Sequence, residues 1–238
     1  MWCDVVTAAA ATGPALGWEV ELSEATQALA PEELSDPERI QFAGLGAGPR
    51  AREWMLGRSA LKALIGGGDT SKIRFPSARY SLTHAGGRAV AARAMSFSGA
   101  GPGGLGVDFE AWRLTDGRMA RYFLHPCESG HLTLRPGDEL LRLWTVKEAL
   151  FKALIDNRAA GATLLDFCLE SPVALVGEAR GPSGRRFRYI SDFTDHGPLC
   201  VAISVATGTR VLRTTPVAGG GDPNPAAAFE SSSTATRF

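Results

Sequence analysis

The chain has 238 residues, 45% hydrophobic and 21% charged, with 25 Lys and Arg against 25 Asp and Glu. That length suffices for one large domain or two small ones with an ample core, and the composition is that of an ordinary soluble globular protein. The zero net charge leaves nothing overall to advertise a nucleic-acid partner, and no stretch approaches the length of a membrane span.

Local charge is less even. Residues 19 to 38 hold seven acids and no base, whereas residues 39 to 93 hold ten bases against only Glu53 and Asp69. The second stretch reads either as uneven surface charge or as a basic wall for a polyanion. The N-terminus lacks a basic leader pattern, so a cytoplasmic enzyme is the default. Cys3, Cys127, Cys168 and Cys200 are scattered without metal-ligand spacing. They read as reduced thiols, not as a disulfide framework or a zinc site.

In chain order, a strand is expected over Gly17 to Leu22, and Pro31 opens a short helix. A helix follows from Arg50 to Ile65, where Trp54, Leu61, Leu64 and Ile65 recur near a period of 3.6, and Gly66-Gly67-Gly68 stops it. Two strands, Arg79 to Thr83 and Ala89 to Ala94, flank a His-Ala-Gly-Gly turn. The Gly/Pro-rich stretch 98–104 is the clearest breaker and divides the chain into halves, 1–97 and 105–212. In the second half a strand, Leu105 to Glu110, leads to a helix near Arg118 to Leu124 and another from Asp138 to Ile155. Strands are then expected at Leu165 to Glu170, Val173 to Val176, Phe187 to Ser191 and Leu199 to Val205. Residues 213–238 have the composition of a disordered tail.

Two segments carry the chemistry. In Gly106-Val107-Asp108-Phe109-Glu110 the two acids stand two apart on a strand and so share a face. In Trp144-Thr145-Val146-Lys147-Glu148-Ala149-Leu150-Phe151-Lys152, a helical wheel puts Glu148 and Lys152 together opposite an apolar arc. Lys147 falls inside that arc, so it must snorkel or reach a buried anion. Three converging carboxylates repel one another unless a cation joins them, and hard oxygen donors suit Mg²⁺. No glycine-rich loop ending in Lys-Ser/Thr is present, which argues against a P-loop nucleotide enzyme.

The paired segments resemble the signature of the 4'-phosphopantetheinyl transferases: Gly-Val-Asp-x-Glu, a gap of several tens of residues, then Trp-Thr-x-Lys-Glu-Ala-x-x-Lys. Ser81-Leu82-Thr83-His84 looks like an upstream segment of that family, Arg50 to Arg58 like its basic glycine-containing helix, and Arg121 to Glu128 like the stretch between the two signatures. The resemblance covers about residues 15 to 207, and the two-half build fits the larger, surfactin-synthetase-activating branch. It implies an α+β fold of two similar subdomains in pseudo-twofold arrangement, with the active site at their interface.

The resemblance further implies transfer of the 4'-phosphopantetheine of coenzyme A to a serine of an apo acyl or peptidyl carrier protein, releasing 3',5'-ADP. By position, Asp108, Glu110 and Glu148 would hold Mg²⁺ or Mn²⁺, and Lys147 and Lys152 would bind phosphate or steady the leaving group. Thr83 and His84 would meet the 3'-phosphate, Arg52, Arg58 and Lys62 would complete a diphosphate wall, and Glu128 would be the general base. Arg113, Arg118 and Arg121, among apolar residues from Trp112 to Leu124, would dock the acidic carrier. A monomer is expected, with neither nucleic acid nor membrane as partner. The alternative is a non-catalytic relative that binds carrier protein or coenzyme A without transfer.

Overall fold

The computed structural model describes residues 19–95, 103–128, 137–157 and 161–205. Most of the 98–104 breaker, the 213–238 tail and Cys3 lie outside them. No helix among the described residues is long and apolar enough to cross a membrane.

The fold is α+β. In the first half, strands β1 (Val20–Ala25), β2 (Tyr80–Ala85) and β3 (Arg88–Ala94) form an antiparallel sheet in the order β1-β3-β2, accompanied by helices α1 (Asp36–Ala43) and α2 (Pro49–Ile65). In the second half, β4 (Gly104–Phe109), β5 (Cys168–Leu169), β6 (Val176–Arg180), β7 (Arg186–Thr194) and β8 (Gly197–Val205) form an antiparallel sheet in the order β4-β8-β7-β6-β5. Helix α3 (Asp138–Ala153) crosses that sheet.

Alternation along the strands sorts the core into three layers. On β3, Ala89 and Ala91 face Leu56, Ala60, Leu61 and Leu64 of α2. Val90, Ala92 and Ala94 face the other way, where they meet Leu105, Val107 and Phe109 of β4 and Leu199, Val201 and Ile203 of β8. The alternate β8 residues, Cys200 and Ala202, pack on Val146, Ala149 and Leu150 of α3. Each sheet is thus covered by a helix on one face and by the other sheet's cluster on the other. Ser81 and Thr83 of β2 reinforce the join: Val107 donates its N–H to Ser81 Oγ at 2.8 Å, and an isolated bridge pairs Ser77 with Leu105.

Several expected elements shift. The helix announced by Pro31 is a 3-10 turn, Pro31–Glu33. The true helix, α1, begins after Ser35, whose hydroxyl and Glu38 form a reciprocal capping box. The Ser-x-x-Glu spacing could have shown this. The expected helix 118–124 is a 3-10 helix, Gly117–Tyr122. The strand expected at 173–176 starts instead at Val176 and runs to Arg180. Gly177 disguised it; a Cβ there would collide with the ring and hydroxyl of Tyr189. The stretch 165–170 is a 3-10 turn followed by the two-residue β5.

The uneven charge also resolves. Arg93 pairs with Glu21, Arg88 with Glu24 and Lys62 with Glu38. The acid-rich stretch therefore neutralises part of the base-rich one, because β1 runs antiparallel to β3 and α1 lies against α2.

Candidate active site

Strand β4 is buried along its whole length, and its two glycines explain how a helix gets so close. A Cβ on Gly106 would overlap the carbonyl oxygen of Ala149, and one on Gly104 that of Ala153. With no side chain on one partner and only methyl groups on the other, α3 lies directly on β4. Residues 104, 106 and 108 share the α3-facing side of the strand, so Asp108 emerges beside Glu148 and Lys152.

Asp108 is 4% exposed. Its Oδ1 accepts from Thr83 Oγ1 at 2.9 Å and from Lys152 Nζ at 2.7 Å. Its Oδ2 is buried with no hydrogen-bond partner. Leaving a buried anionic oxygen unpaired costs roughly 1–3 kcal/mol or more, so this atom marks where a positive ligand is wanted. Glu110, one residue past the strand end, accepts from Trp144 Nε1 at 2.9 Å and lies 3.3 Å from Arg113. Its carboxyl pKa is pushed up by burial first and by Asp108 next, against Arg113. That of Glu148 is likewise raised by burial and Asp108, against Lys152.

These groups line one cavity of about 320 Å³, together with Leu82, Thr83, His84 and Trp144. It adjoins a second of about 310 Å³ that shares Leu82, His84, Glu148 and Lys152 and adds Phe75, Pro76, Tyr80, Phe151 and Asn157. One end of the combined cleft is thus acidic and the other lined with rings, suiting a ligand with a charged group and a flat apolar one. The three carboxylates share this cavity, but their oxygens do not close to the mutual 4.8 Å spacing reached among the described residues by His125, Cys127 and Cys168. Asp108 is instead turned to Thr83 and Lys152, and Glu110 to Trp144 and Arg113.

Lys147 and Glu128, expected to bind phosphate and to take a proton, do not line either cavity. Neither side chain is exposed, and Lys147 Nζ lies 2.7 Å and 2.6 Å from the two Glu128 oxygens. Glu128 Oε1 also accepts from Leu169 N–H at 2.6 Å, and Oε2 from His125 N–H at 2.8 Å. Lys147 donates in addition to the Phe167 carbonyl, and burial lowers its pKa against the pull of Glu128. The anion demanded by a lysine on the apolar arc is therefore Glu128.

Arg52, Arg58 and Lys62, the expected diphosphate wall, also lie outside the lining of both cavities. Arg58 donates to the Thr70 carbonyl at 2.7 Å and to Gln41 Oε1 at 3.2 Å, and stacks over Trp54. Lys62 is tied to Glu38 at 2.9 Å. Arg52 is exposed on α2, outside the lining of both cavities. Thr83 spends its hydroxyl on Asp108, so of the Thr83–His84 pair only His84 offers an exposed side chain at the cleft. Lys152 bonds Asp108 across the helix–strand interface in place of a simple pair with Glu148.

Residues 104–190 match the family model described as the 4'-phosphopantetheinyl transferase superfamily. That match supports a transferase of the phosphopantetheinyl type, a class that uses coenzyme A and acts on carrier proteins. No curated protein matches the chain.

Proposed function

We propose that this chain transfers the 4'-phosphopantetheine arm of coenzyme A to a serine of an apo carrier protein, giving holo carrier protein and 3',5'-ADP. The observation that carries the reading is the buried, unpartnered Oδ2 of Asp108 in a cavity shared with Glu110 and Glu148, within the segment that matches the superfamily. On this reading the halves 1–97 and 105–212 are two pseudo-twofold subdomains acting as a monomer in the cytoplasm, with the cleft at their junction.

Asp108, through Oδ2, with the Glu148 and Glu110 side chains turned in from their present positions, would hold a Mg²⁺ or Mn²⁺ ion; the donor set is all hard oxygen, as such ions require. When bound, it supplies charge neutralisation for the coenzyme A diphosphate. The chain's own groups do the rest. The ring-lined end of the cleft takes the adenine, and His84 at its mouth faces the 3'-phosphate. Lys152, already held against Asp108, supplies positive charge beside the phosphate oxygen from which the bond to phosphorus breaks as the serine oxygen bonds to it. The serine proton passes to water in the cleft. Glu128 and Lys147 act as positioning residues that fix α3.

The test is incubation with coenzyme A, Mg²⁺ and a panel of apo carrier proteins, read by intact mass. A gain of one phosphopantetheine is expected, reduced at least about 100-fold in Asp108→Asn and Glu148→Gln. No gain across fatty-acid, polyketide and peptide-synthetase carriers, or full activity in both variants, would remove the assignment.

A further inference from the structure

Outside the cleft, Cys127 and Cys168 are joined by a disulfide, 41 residues apart in sequence, which corrects the expectation of four reduced thiols. Cys127 is exposed and Cys168 half-buried, whereas Cys200 is a buried free thiol. The Nδ1 of His125 lies 3.0 Å from Cys127 Sγ. Each half-cystine also adjoins the buried ion pair. Cys127 immediately precedes Glu128. Cys168 sits between Phe167, whose carbonyl accepts from Lys147, and Leu169, whose N–H donates to Glu128. The bond thus ties together the two backbone segments that hold both members of the pair.

We propose that Cys127 and Cys168 form a dithiol–disulfide exchange site, opened by a dithiol reductant, that clamps the Glu128–Lys147 pair when closed. A paired disulfide with one exposed sulfur is the kind that exchanges, and in reducing compartments such bonds are transient and redox-sensing. A thiolate of the reductant attacks the exposed Cys127 sulfur; the S–S bond breaks and its electron pair leaves on Cys168, which takes a proton. The reductant's second thiolate then attacks its own mixed-disulfide sulfur and expels Cys127 as a thiolate, which takes the second proton. The protein gains two electrons and two protons, and the reductant becomes a cyclic disulfide. The exchange step does not require the transfer reaction proposed above.

The full chain would be equilibrated in oxidised or reduced dithiothreitol, denatured with N-ethylmaleimide and weighed. With cysteines at 3, 127, 168 and 200, the expected count is two adducts oxidised and four reduced, reversing when the buffers are exchanged. The melting temperature should fall by roughly 10 °C on reduction, because the bond closes a loop of some forty residues. Amide exchange at Leu169 should speed up in parallel. Cys127→Ser and Cys168→Ser should each give three adducts and no redox-dependent melting. Four adducts in the oxidising buffer would overturn the proposal. So would a zinc ion retained by the reduced protein and lost in His125→Ala, since His125, Cys127 and Cys168 would then be a metal centre. The wild-type adduct count decides even if a serine variant fails to fold.

Discussion

Replacing Lys147 by methionine keeps the length and apolar stem of the side chain but strands Glu128, whose carboxylate is 1% exposed. Removing one partner of a buried ion pair costs about 3–5 kcal/mol. The backbone donors of Leu169 and His125, at 2.6 and 2.8 Å, still solvate the stranded charge, which places the expected loss near the lower limit, about 3 kcal/mol. That is a large part of the 5–15 kcal/mol typical of a folded domain. Glu128→Gln retains an acceptor for one backbone donor but leaves the ammonium with little more than the Phe167 carbonyl, so a similar loss is expected. The double variant holds no buried charge, so it should lose no more than either single change, a coupling of at least about 3 kcal/mol. Urea unfolding followed by the fluorescence of the five tryptophans gives all four corners of the cycle. A single-variant cost below about 1 kcal/mol, or a coupling near zero, would refute the reading. If Glu128 were the proton acceptor, the double variant would be as stable as predicted and yet inactive by orders of magnitude. The positioning role instead predicts that activity follows stability.

Gly106→Ala should destabilise the chain by about 3 kcal/mol or more, beyond ordinary overpacking, because the overlap is with backbone of α3; lower thermal stability and a matching loss of transfer are the readouts. Glu38 is fully buried; burial pushes its carboxyl up, but bonds from Thr70, Lys62 and Ser35 outweigh this and hold it at about 2 instead of 4.5. Its folded value is depressed, so its contribution, at most about 3 kcal/mol, is complete above about pH 4.5 and drains away as pH falls toward 2. Urea midpoints measured across that window should fall for wild type and much less for Glu38→Gln. Leu114, Tyr122, Arg118 and Arg121 are exposed, so Arg118→Glu and Arg121→Glu should raise the KM for an acidic carrier several-fold and leave that for coenzyme A unchanged.

Much of the fold was legible because its main segments repeat with clear periods. The α2 stripe, the β3 alternation and the α3 wheel each show which face is buried, and period alone dictates that. The weaker elements shift for local reasons: β6 begins on an exposed valine and contains a glycine needed by Tyr189, and the 117–122 turn is too short for its period to separate a 3-10 helix from an α-helix. Ser35 and Glu38 carried a capping signal that went unread behind the more obvious proline.

The site divides the same way. Residue types and spacing alone pointed to Asp108, Glu110 and Glu148 as a set, and helical periodicity left Lys147 either to snorkel or to reach a buried anion. Which anion it was depended on a loop 19 residues away in sequence, and no one-dimensional pattern encodes that distance. Likewise Arg58 and Lys62 resembled free cations until α1 and the turn at Thr70 packed against them and used their charge. A side chain's charge and its share of a periodic face are local properties, set by the sequence. Whether that charge meets a partner, solvent or a ligand depends on which distant segments share its surroundings, and only the packed chain determines that.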